Sequence, residues 1–571
     1  MLNLTFTKDM DIKDLDNREF EERADFIDFN DLISWTVETS FFEKIQKKIT
    51  ERGAKLIVGP RGTGKTHQFR HAYYTCLNEN SKPLPLYVSF GKYYHLEPLL
   101  FKSANALNVF HTWILAKIAN EIFEVSSQLN IDLSLYFTEL DIEINEILDF
   151  IQNAERNLID SNNDELISKL SIQRVISIID ELLKHSKRKR CILLLDDAAL
   201  TLTPDYMVEF FDVFRSLKTQ NISPKASVYP GTTQYGPRFH IGQDAEEVKA
   251  WLNVEDENYS SFMSEILNKR LNITSVSLEV IEIFKFASFG IPRAFITLLR
   301  DYIQTESKTN QQRFNKVIEN QKILLEKEYL SLSLKMPQYK SIIKIGFDFF
   351  EKIVTVALEA NKLNPAEKKT HIGILQDELI QKSSRMMKFL IEAGLLYELQ
   401  SVSTGQDKTF NRYIPHYLFL INAKVFTHTQ GFNPKAMIES INKKTEKRPI
   451  RKQLNTILNK NQIENLKLDL PSCINCGVAR MSDEQKFCHN CGSPLVGQST
   501  FETTLKIKIK DLPLPKWQID VILKDTNLKN LEDLYSSQNL AKDLKNARGI
   551  GKVRTTNIDN IVKELLDEFL A

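Results

Sequence analysis

The chain has 571 residues, 42% of them hydrophobic and 26% charged, with a formal net charge of +1. That length allows about three to five domains with real cores, and the balanced charge excludes a global field that would attract nucleic acid. No run of about 18 or more apolar residues occurs, which argues against a membrane span.

Met1-Leu2-Asn3-Leu4-Thr5-Phe6 lacks the basic and then apolar order of a secretory leader. Of six cysteines, four fall in two C-x-x-C pairs, while Cys76 and Cys191 sit alone in apolar surroundings. That usage suits a reducing cytoplasm and one metal site better than a disulfide framework.

Residues 1–50 begin polar and acidic, then show helical apolar spacing through Phe29, Leu32, Ile33, Trp35, Phe41, Phe42 and Ile45. They read as a lead-in packed on the next unit. Ala54-Lys55-Leu56-Ile57-Val58 reads as a strand. It feeds Gly59-Pro60-Arg61-Gly62-Thr63-Gly64-Lys65-Thr66, which fits G-x-x-x-x-G-K-[ST]. A loop between a strand and a helix N-terminus aims backbone N–H groups at an anion. Lys65 is expected at the β- and γ-phosphates and the Thr66 hydroxyl at Mg²⁺.

Pro85 to Phe90 reads as a second buried strand. The aromatic loop Tyr93-Tyr94-His95 after it reads as ordinary packing or, less simply, a partner contact. Residues 105–185 read as a helical insertion whose acidic run, Glu139 to Glu165, forms a solvated face. Cys191-Ile192-Leu193-Leu194-Leu195-Asp196-Asp197 is an unbroken apolar run ending in two acids. Such a run suits a strand buried on both faces, with acids where open α/β sheets bind ligands. Asp196 is expected to orient Mg²⁺ through its water shell, and Asp197 to polarise the attacking water. After the next strand, Ala226 to Tyr229, Thr232 or Thr233 is expected near the γ-phosphate. Arg238 either acts on a neighbour's nucleotide or pairs with an acid. Gly290-Ile291-Pro292-Arg293 marks the start of a helix, from which Arg293 would fold onto the phosphates.

These residues together resemble an AAA+ ATPase, and within that class the origin-recognition and replication-initiator clade. The resemblance covers roughly residues 30–310. It implies ATP and Mg²⁺ at Lys65 and Thr66, Asp196 and Asp197 as the acidic pair, Thr232 or Thr233 as first sensor, and Arg293 as second sensor. AAA+ proteins usually carry Asp-Glu, whereas this chain has Asp-Asp. That departure is similar to STAND-type signalling ATPases, which act as slow switches.

Further on, residues 306–340 read as a charged connector. The helix Ile374–Glu392, the cap Gly394 and two strands around Thr404 to Asp407 are similar to a winged helix, with Lys382, Arg385 and Lys388 as basic support. Residues 440–453, rich in Lys and Arg, read as a linker. Cys473, Cys476, Cys488 and Cys491 are spaced C-x2-C-x11-C-x2-C, as in a zinc ribbon that holds structural Zn²⁺. Leu505–Lys510 reads as an exposed strand. Arg548-Gly549-Ile550-Gly551-Lys552-Val553-Arg554 looks like the hairpin of a helix-hairpin-helix. There Gly549 and Gly551 expose backbone N–H groups to a DNA phosphate, and Arg548, Lys552 and Arg554 add charge.

The expected whole is a multidomain α/β protein: a P-loop AAA+ core with a parallel sheet and helical lid, then winged-helix-like, zinc-ribbon and small α-helical domains. The expected boundaries are 1–257 for the core with its lead-in and insertion, 258–310 for the lid, and 311–430 for connector and winged helix. A basic linker follows at 431–465, a zinc ribbon at 466–500 and the helix-hairpin-helix-like domain at 505–571. The expected function is an ATP-hydrolysing switch, cytoplasmic and not membrane-bound. Its nucleotide state controls engagement of double-stranded DNA, of a partner protein that supplies an effector activity, or of further copies in a homo-oligomer. A STAND-type switch and a nucleotide-stabilised DNA-binding scaffold remain as alternatives.

Overall fold

The computed structural model describes Phe20 and residues 23–570, except 157, 159–163, 199–202, 272, 274, 380, 405–407, 428–431, 447, 471, 474, 482–484, 486, 496–499, 513, 538 and 545. Residues 1–19, the tip of the turn at 405–407 and Lys447 lie outside the described residues.

Five strands form one parallel sheet: β1 (Lys55–Val58), β2 (Leu84–Ser89), β3 (Cys191–Asp196), β4 (Ile222–Val228) and β5 (Glu246–Lys249). Their order is β2-β3-β4-β1-β5. β3 is apolar without alternation because both of its faces are covered. Cys191, Leu193 and Leu195 join one core with the helices Ala106–Gln128, Ile172–His185 and Pro204–Ser216, while Ile192 and Leu194 join another with Ser40–Thr50 and Lys65–Leu77. Two prolines sit in strands at tolerated places. Pro85 lies on the edge strand β2, and Pro224 precedes the first β4 residue paired with β1, Lys225 opposite Lys55.

The described part of residues 105–185 is helical between β2 and β3, and this insertion is integral to the core. Helix Ala106–Gln128 buries Trp113, Ile114, Leu115, Ile118 and Ile122 against the sheet and forms one of its layers. Its apolar residues run almost all round because helices cover it on the outside as well.

A second sheet, β7 (Leu396–Thr404), β8 (Lys408–Pro415), β6 (Ile372–Leu375) and β9 (Ile450–Lys452) in that order, follows the lid. β7 and β8 pair antiparallel behind helix Gln381–Glu392 and Gly394, but the helix expected from Ile374 begins only at Gln381, because Ile372–Leu375 pairs into the sheet as β6. The lid helices Tyr259–Arg270, Leu278–Ala287 and Pro292–Gln304 share one continuous core with this unit. The boundary expected at residue 310 therefore separates no cores.

The segment expected as a basic linker is also built in. Its β9 pairs parallel with β6, and Met437, Ile441, Leu454, Ile457 and Leu458 are buried. Its basic residues lie on the outer side of apolar anchors that the charge count conceals. Arg451, for instance, stacks over the Phe410 ring at 5.3 Å. Leu505–Lys510 is likewise no strand. Its alternation comes from a helix end at Leu505 and a 3₁₀ turn, Ile509–Asp511, that fully buries Ile509.

Among the described residues, no helix is long and apolar enough to cross a membrane.

Candidate functional site

The end of β1, the loop Gly59–Thr66 and the start of helix Lys65–Leu77 form the floor of a cavity of about 440 Å³. Arg61, Gly62, Thr63, Gly64, Lys65 and Thr66 all line it. Its other walls come from distant segments: Trp35, Val37 and Phe42 of the lead-in, Phe262, Ile266 and Ile296 of the lid, and Asp197 at the end of β3.

The loop needs its glycines for a reason beyond phosphate access. Gly62 sits at φ +84°, and a Cβ there would meet Ile291 Cγ2 at 2.9 Å and Arg293 Cβ at 3.0 Å. The lid helix thus rests on the phosphate loop, and the Arg293 N–H donates to Gly62 O at 3.4 Å. Gly59 is constrained too, since a Cβ would strike the Thr63 hydroxyl, which donates to Pro60 O at 3.0 Å. At Gly64, φ +88°, the bar to a side chain is conformational rather than steric, and a cradle of such glycines lets backbone N–H groups approach a phosphate chain.

Lys65 donates to Gly59 O at 2.6 Å and Pro60 O at 3.1 Å, and its ammonium lies 4.6 Å from the Tyr229 ring centre. Desolvation lowers its pKa to about 8, against the opposing pull of Asp196 and Asp197. Its ammonium is held by carbonyls that an incoming phosphate can replace.

The two acids are held differently. Asp196 is fully buried; it accepts from Ser227 Oγ at 2.5 Å and from Tyr87 OH at 3.0 Å. Asp197 lines the cavity and accepts from Ser89 Oγ at 3.0 Å. Its own N–H donates to Asp196 Oδ1 and Ser227 Oγ, both at 3.0 Å, from a left-handed backbone at φ +53°. Burial first, then Asp196, pushes the Asp197 carboxyl up to about 7. A carboxyl tuned to that range can exchange a proton near neutral pH.

Thr232 and Thr233 are not among the described residues lining this cavity; Ser227 and Tyr229 are. Thr233 donates to Tyr229 O at 2.8 Å, and Thr232 lines a smaller pocket with Lys388 and Phe389. The reason is a tertiary contact. Gly231, at φ +89°, turns the chain against the backbone of Lys388, where a Cβ would meet its carbonyl at 2.9 Å. The loop after β4 is thereby carried away from the phosphate loop.

The helix Gln381–Glu392 is accordingly seated on the parallel-sheet unit. Lys382 and Lys388 remain exposed, while Arg385 donates to Tyr339 OH at 2.6 Å. Arg238, considered for action in trans, lies 3.7 Å from Asp212.

Several other charged side chains at the cavity carry no motif. Arg23 and Asp25 come from the lead-in, Lys117 from helix Ala106–Gln128, and Glu155 from the acidic run expected to be solvated. Only Ser89 and Ser227 had a usable signal, as polar residues ending strands next to β3.

The zinc-ligand spacing folds as two knuckles. Cys473 N–H donates to Val478 O and Gly477 N–H to Cys473 O; Cys488 N–H donates to Ser493 O and Gly492 N–H to Cys488 O. All four Sγ atoms lie within 4.8 Å of one another, with Cys473–Cys491 at 3.5 Å and Cys476–Cys488 at 3.4 Å. Four thiolates at about 2.3 Å from one tetrahedral ion stand about 3.8 Å apart, so the donor set fits Zn²⁺.

At the terminal hairpin Gly549 takes φ +85° before helix Lys552–Leu570. Arg548 N–H donates to Asp525 at 3.3 Å. Arg554 folds back to donate to Gly549 O and stacks over Trp517 at 5.1 Å. Gly551 has open space around its Cβ position, and the Lys552 side chain lies outside the described residues. This unit docks on the aromatic loop after β2. Tyr94 is buried in its core, His95 and Tyr535 stack at 6.2 Å, and Phe501 N–H donates to Glu97 at 3.1 Å.

No protein-family model and no curated protein matches the chain. Solved structures with similarity include a Walker-type ATPase of Pyrococcus abyssi, at 12% identity over 74% of this chain and 99% of that one, TM-score 0.37. Others are the ORC2 protein of Aeropyrum pernix in ADPNP–ADP complexes, at 12% over 74% and 96%, TM-score 0.31, and the ORC1 protein of the same organism in complex with DNA, at 11% over 67% and 91%, TM-score 0.27.

Proposed function

We propose that this protein binds ATP between the parallel sheet and the lid, hydrolyses it slowly, and uses the nucleotide state to control engagement of duplex DNA by its C-terminal units. The observation that carries the reading is the convergence of Lys65, Thr66, Asp197 and Arg293 on one cavity floored by a phosphate loop.

The loop N–H groups and Lys65 bind the phosphates. Thr66, which lines the cavity, would hold Mg²⁺, and the ion would supply charge neutralisation on the phosphates; Asp196, expected to share that role, is sealed behind the wall by Ser227 and Tyr87 and would contribute its charge from there. Asp197 takes a proton from water. Arg293, whose backbone is tied to Gly62, couples the lid to whatever the loop holds. The lid shares its core with the winged-helix-like unit, so movement at Arg293 reaches helix Gln381–Glu392. That helix and the hairpin at Arg548, Gly549, Gly551, Lys552 and Arg554 are the proposed DNA contacts, with zinc at the four cysteines folding the module between them.

Slow, switch-like turnover of the STAND kind is favoured over a motor by one observation. Asp197 is the shorter acid and is tied to Ser89, while burial beside Asp196 raises its pKa to about 7.

The test is steady-state ATP turnover with and without duplex DNA for wild type, Lys65→Ala and Asp197→Ala. Slow turnover that DNA changes and both substitutions abolish is expected. Wild-type protein that neither binds nor hydrolyses ATP overturns the reading. DNA affinity that does not fall with salt, or survives deletion of 505–571 unchanged, removes the hairpin from it.

A further inference from the structure

The nucleotide cavity has a second cationic group that no motif accounts for. Lys117, on helix Ala106–Gln128, and Lys92, on the loop after β2, both line it. They converge on one acid: Glu155 lies 3.2 Å from Lys117 and 3.5 Å from Lys92, one carboxylate oxygen to each. Glu155 closes helix Ile144–Glu155 and is itself mostly buried, at 15% exposure.

Two lysines on one carboxylate leave a net positive charge on a cavity wall. Its position relative to the chemistry is set by Asp197. The residue before Lys92, Gly91, lies against that acid, 3.4 Å from its Oδ2 to the Cβ position. The Asp197 charge also reaches Lys117 and opposes the fall in its pKa that burial causes. The acid proposed to activate water faces the far end of the phosphate chain, so cations grouped around it face that end too. Lys65 and the loop N–H groups belong to the cradle, by contrast, which holds any nucleotide that has a phosphate chain.

We propose that Lys117 and Lys92, held in place by Glu155, form a subsite for the terminal phosphate, so that the cavity discriminates nucleoside triphosphate from diphosphate. The inference rests on the nucleotide reading above. Glu155 neutralises part of the charge and keeps Lys117 from being a buried unpaired ion. A γ-phosphate competes for the same ammonium groups, loosening helix Ile144–Glu155. A diphosphate does not reach them and leaves the Lys117–Glu155 pair intact. The alternative is a tie that only fastens helix Ile144–Glu155 to helix Ala106–Gln128. Such a tie has no preference between nucleotides.

The test is fluorescence titration of the full chain, with Mg²⁺, using a mant-labelled diphosphate and a mant-labelled, hydrolysis-resistant triphosphate. Lys117→Met is expected to weaken triphosphate binding by about 10- to 100-fold, as for loss of a hydrogen bond between charged groups, and to leave diphosphate binding within a few-fold of wild type. Glu155→Gln, which frees both lysines but keeps the shape of the side chain, is expected to hold or raise triphosphate affinity. Equal losses for both nucleotides in Lys117→Met overturn the subsite and leave the nucleotide reading standing. So does a selective loss of triphosphate in Glu155→Gln. Wild-type protein that binds neither probe overturns the nucleotide reading, and this inference with it.

Discussion

Asp196 and Asp197 are adjacent in sequence and unlike in surroundings. The first is sealed under Ser227 and Tyr87, and the second opens to the cavity with Ser89 as its partner. The left-handed backbone at Asp197 separates the two carboxylates, so one strand end supplies both a fixed acid and an adjustable one.

The adjustable acid gives a pH prediction with two opposite signs. Burial and Asp196 raise Asp197 to about 7 in the folded chain, above its ordinary 3.8. The raised value stabilises the fold fully below about pH 4, and that stability is lost as pH rises through about 7. Asp197→Asn has no such loss. In nucleotide-free protein, its melting temperature minus that of wild type is expected to grow more positive between about pH 4 and pH 7 and to level off above that. Turnover moves the other way. It rises in wild type through about pH 7 and stays flat and about 100-fold lower or more in the variant.

Lys65 is bonded to the carbonyls of Gly59 and Pro60. Lys65→Ala leaves those carbonyls free and the fold near its wild-type stability, and nucleotide affinity is expected to fall about 100-fold. A melting curve without nucleotide, set beside one with millimolar Mg-ATP, separates the two effects. Only wild type should shift.

Gly290 is expected to be intolerant. It lies at φ +78°, and a Cβ would meet the carbonyl of Leu252 beneath the lid. The neighbouring Phe289 carbonyl also accepts from Trp251 Nε1 at 2.8 Å. Gly290→Ala should cost more than about 1 kcal/mol, from backbone strain alone, and lower nucleotide affinity by unseating Arg293. Trp251 fluorescence in a denaturant titration reads both the stability and the seating.

Zinc is expected at about one ion per chain, measured by atomic emission on protein prepared without chelator. Cys488→Ser should lose it and expose the segment around residues 473–495 to protease. Melting of the parallel-sheet unit should be unchanged, because the cysteine module shares no core with it.

Tyr94 seats the terminal helical unit on the loop after β2. Tyr94→Ala removes a side chain only 2% exposed, at a cost of about 3 kcal/mol. It should release residues 500–570 to limited proteolysis while ATP binding persists. Unchanged proteolysis would mean that the Glu97 and Lys102 contacts with Phe501 and Glu502 hold the unit alone.

By itself the sequence determined the elements whose physics is local. The phosphate loop, the strand buried on both faces with acids at its end, the glycine-capped helix before a hairpin and the paired cysteine knuckles are each written within a few residues, because backbone geometry and ligand spacing are short-range constraints. Only the tertiary structure decided what comes together from far apart. It carried Thr232 and Thr233 away from the cavity, since Gly231 is turned against Lys388. It set residues 450–452 of the basic stretch into a sheet, since the five apolar anchors around them outweigh charges that can stay in water. It also took Glu155 from a run of acids and set it between Lys92 and Lys117. Solvated and cavity-facing glutamates look alike in a sequence. Their difference is the electrostatics of what folds against them, and that depends on pairings that no local spacing encodes.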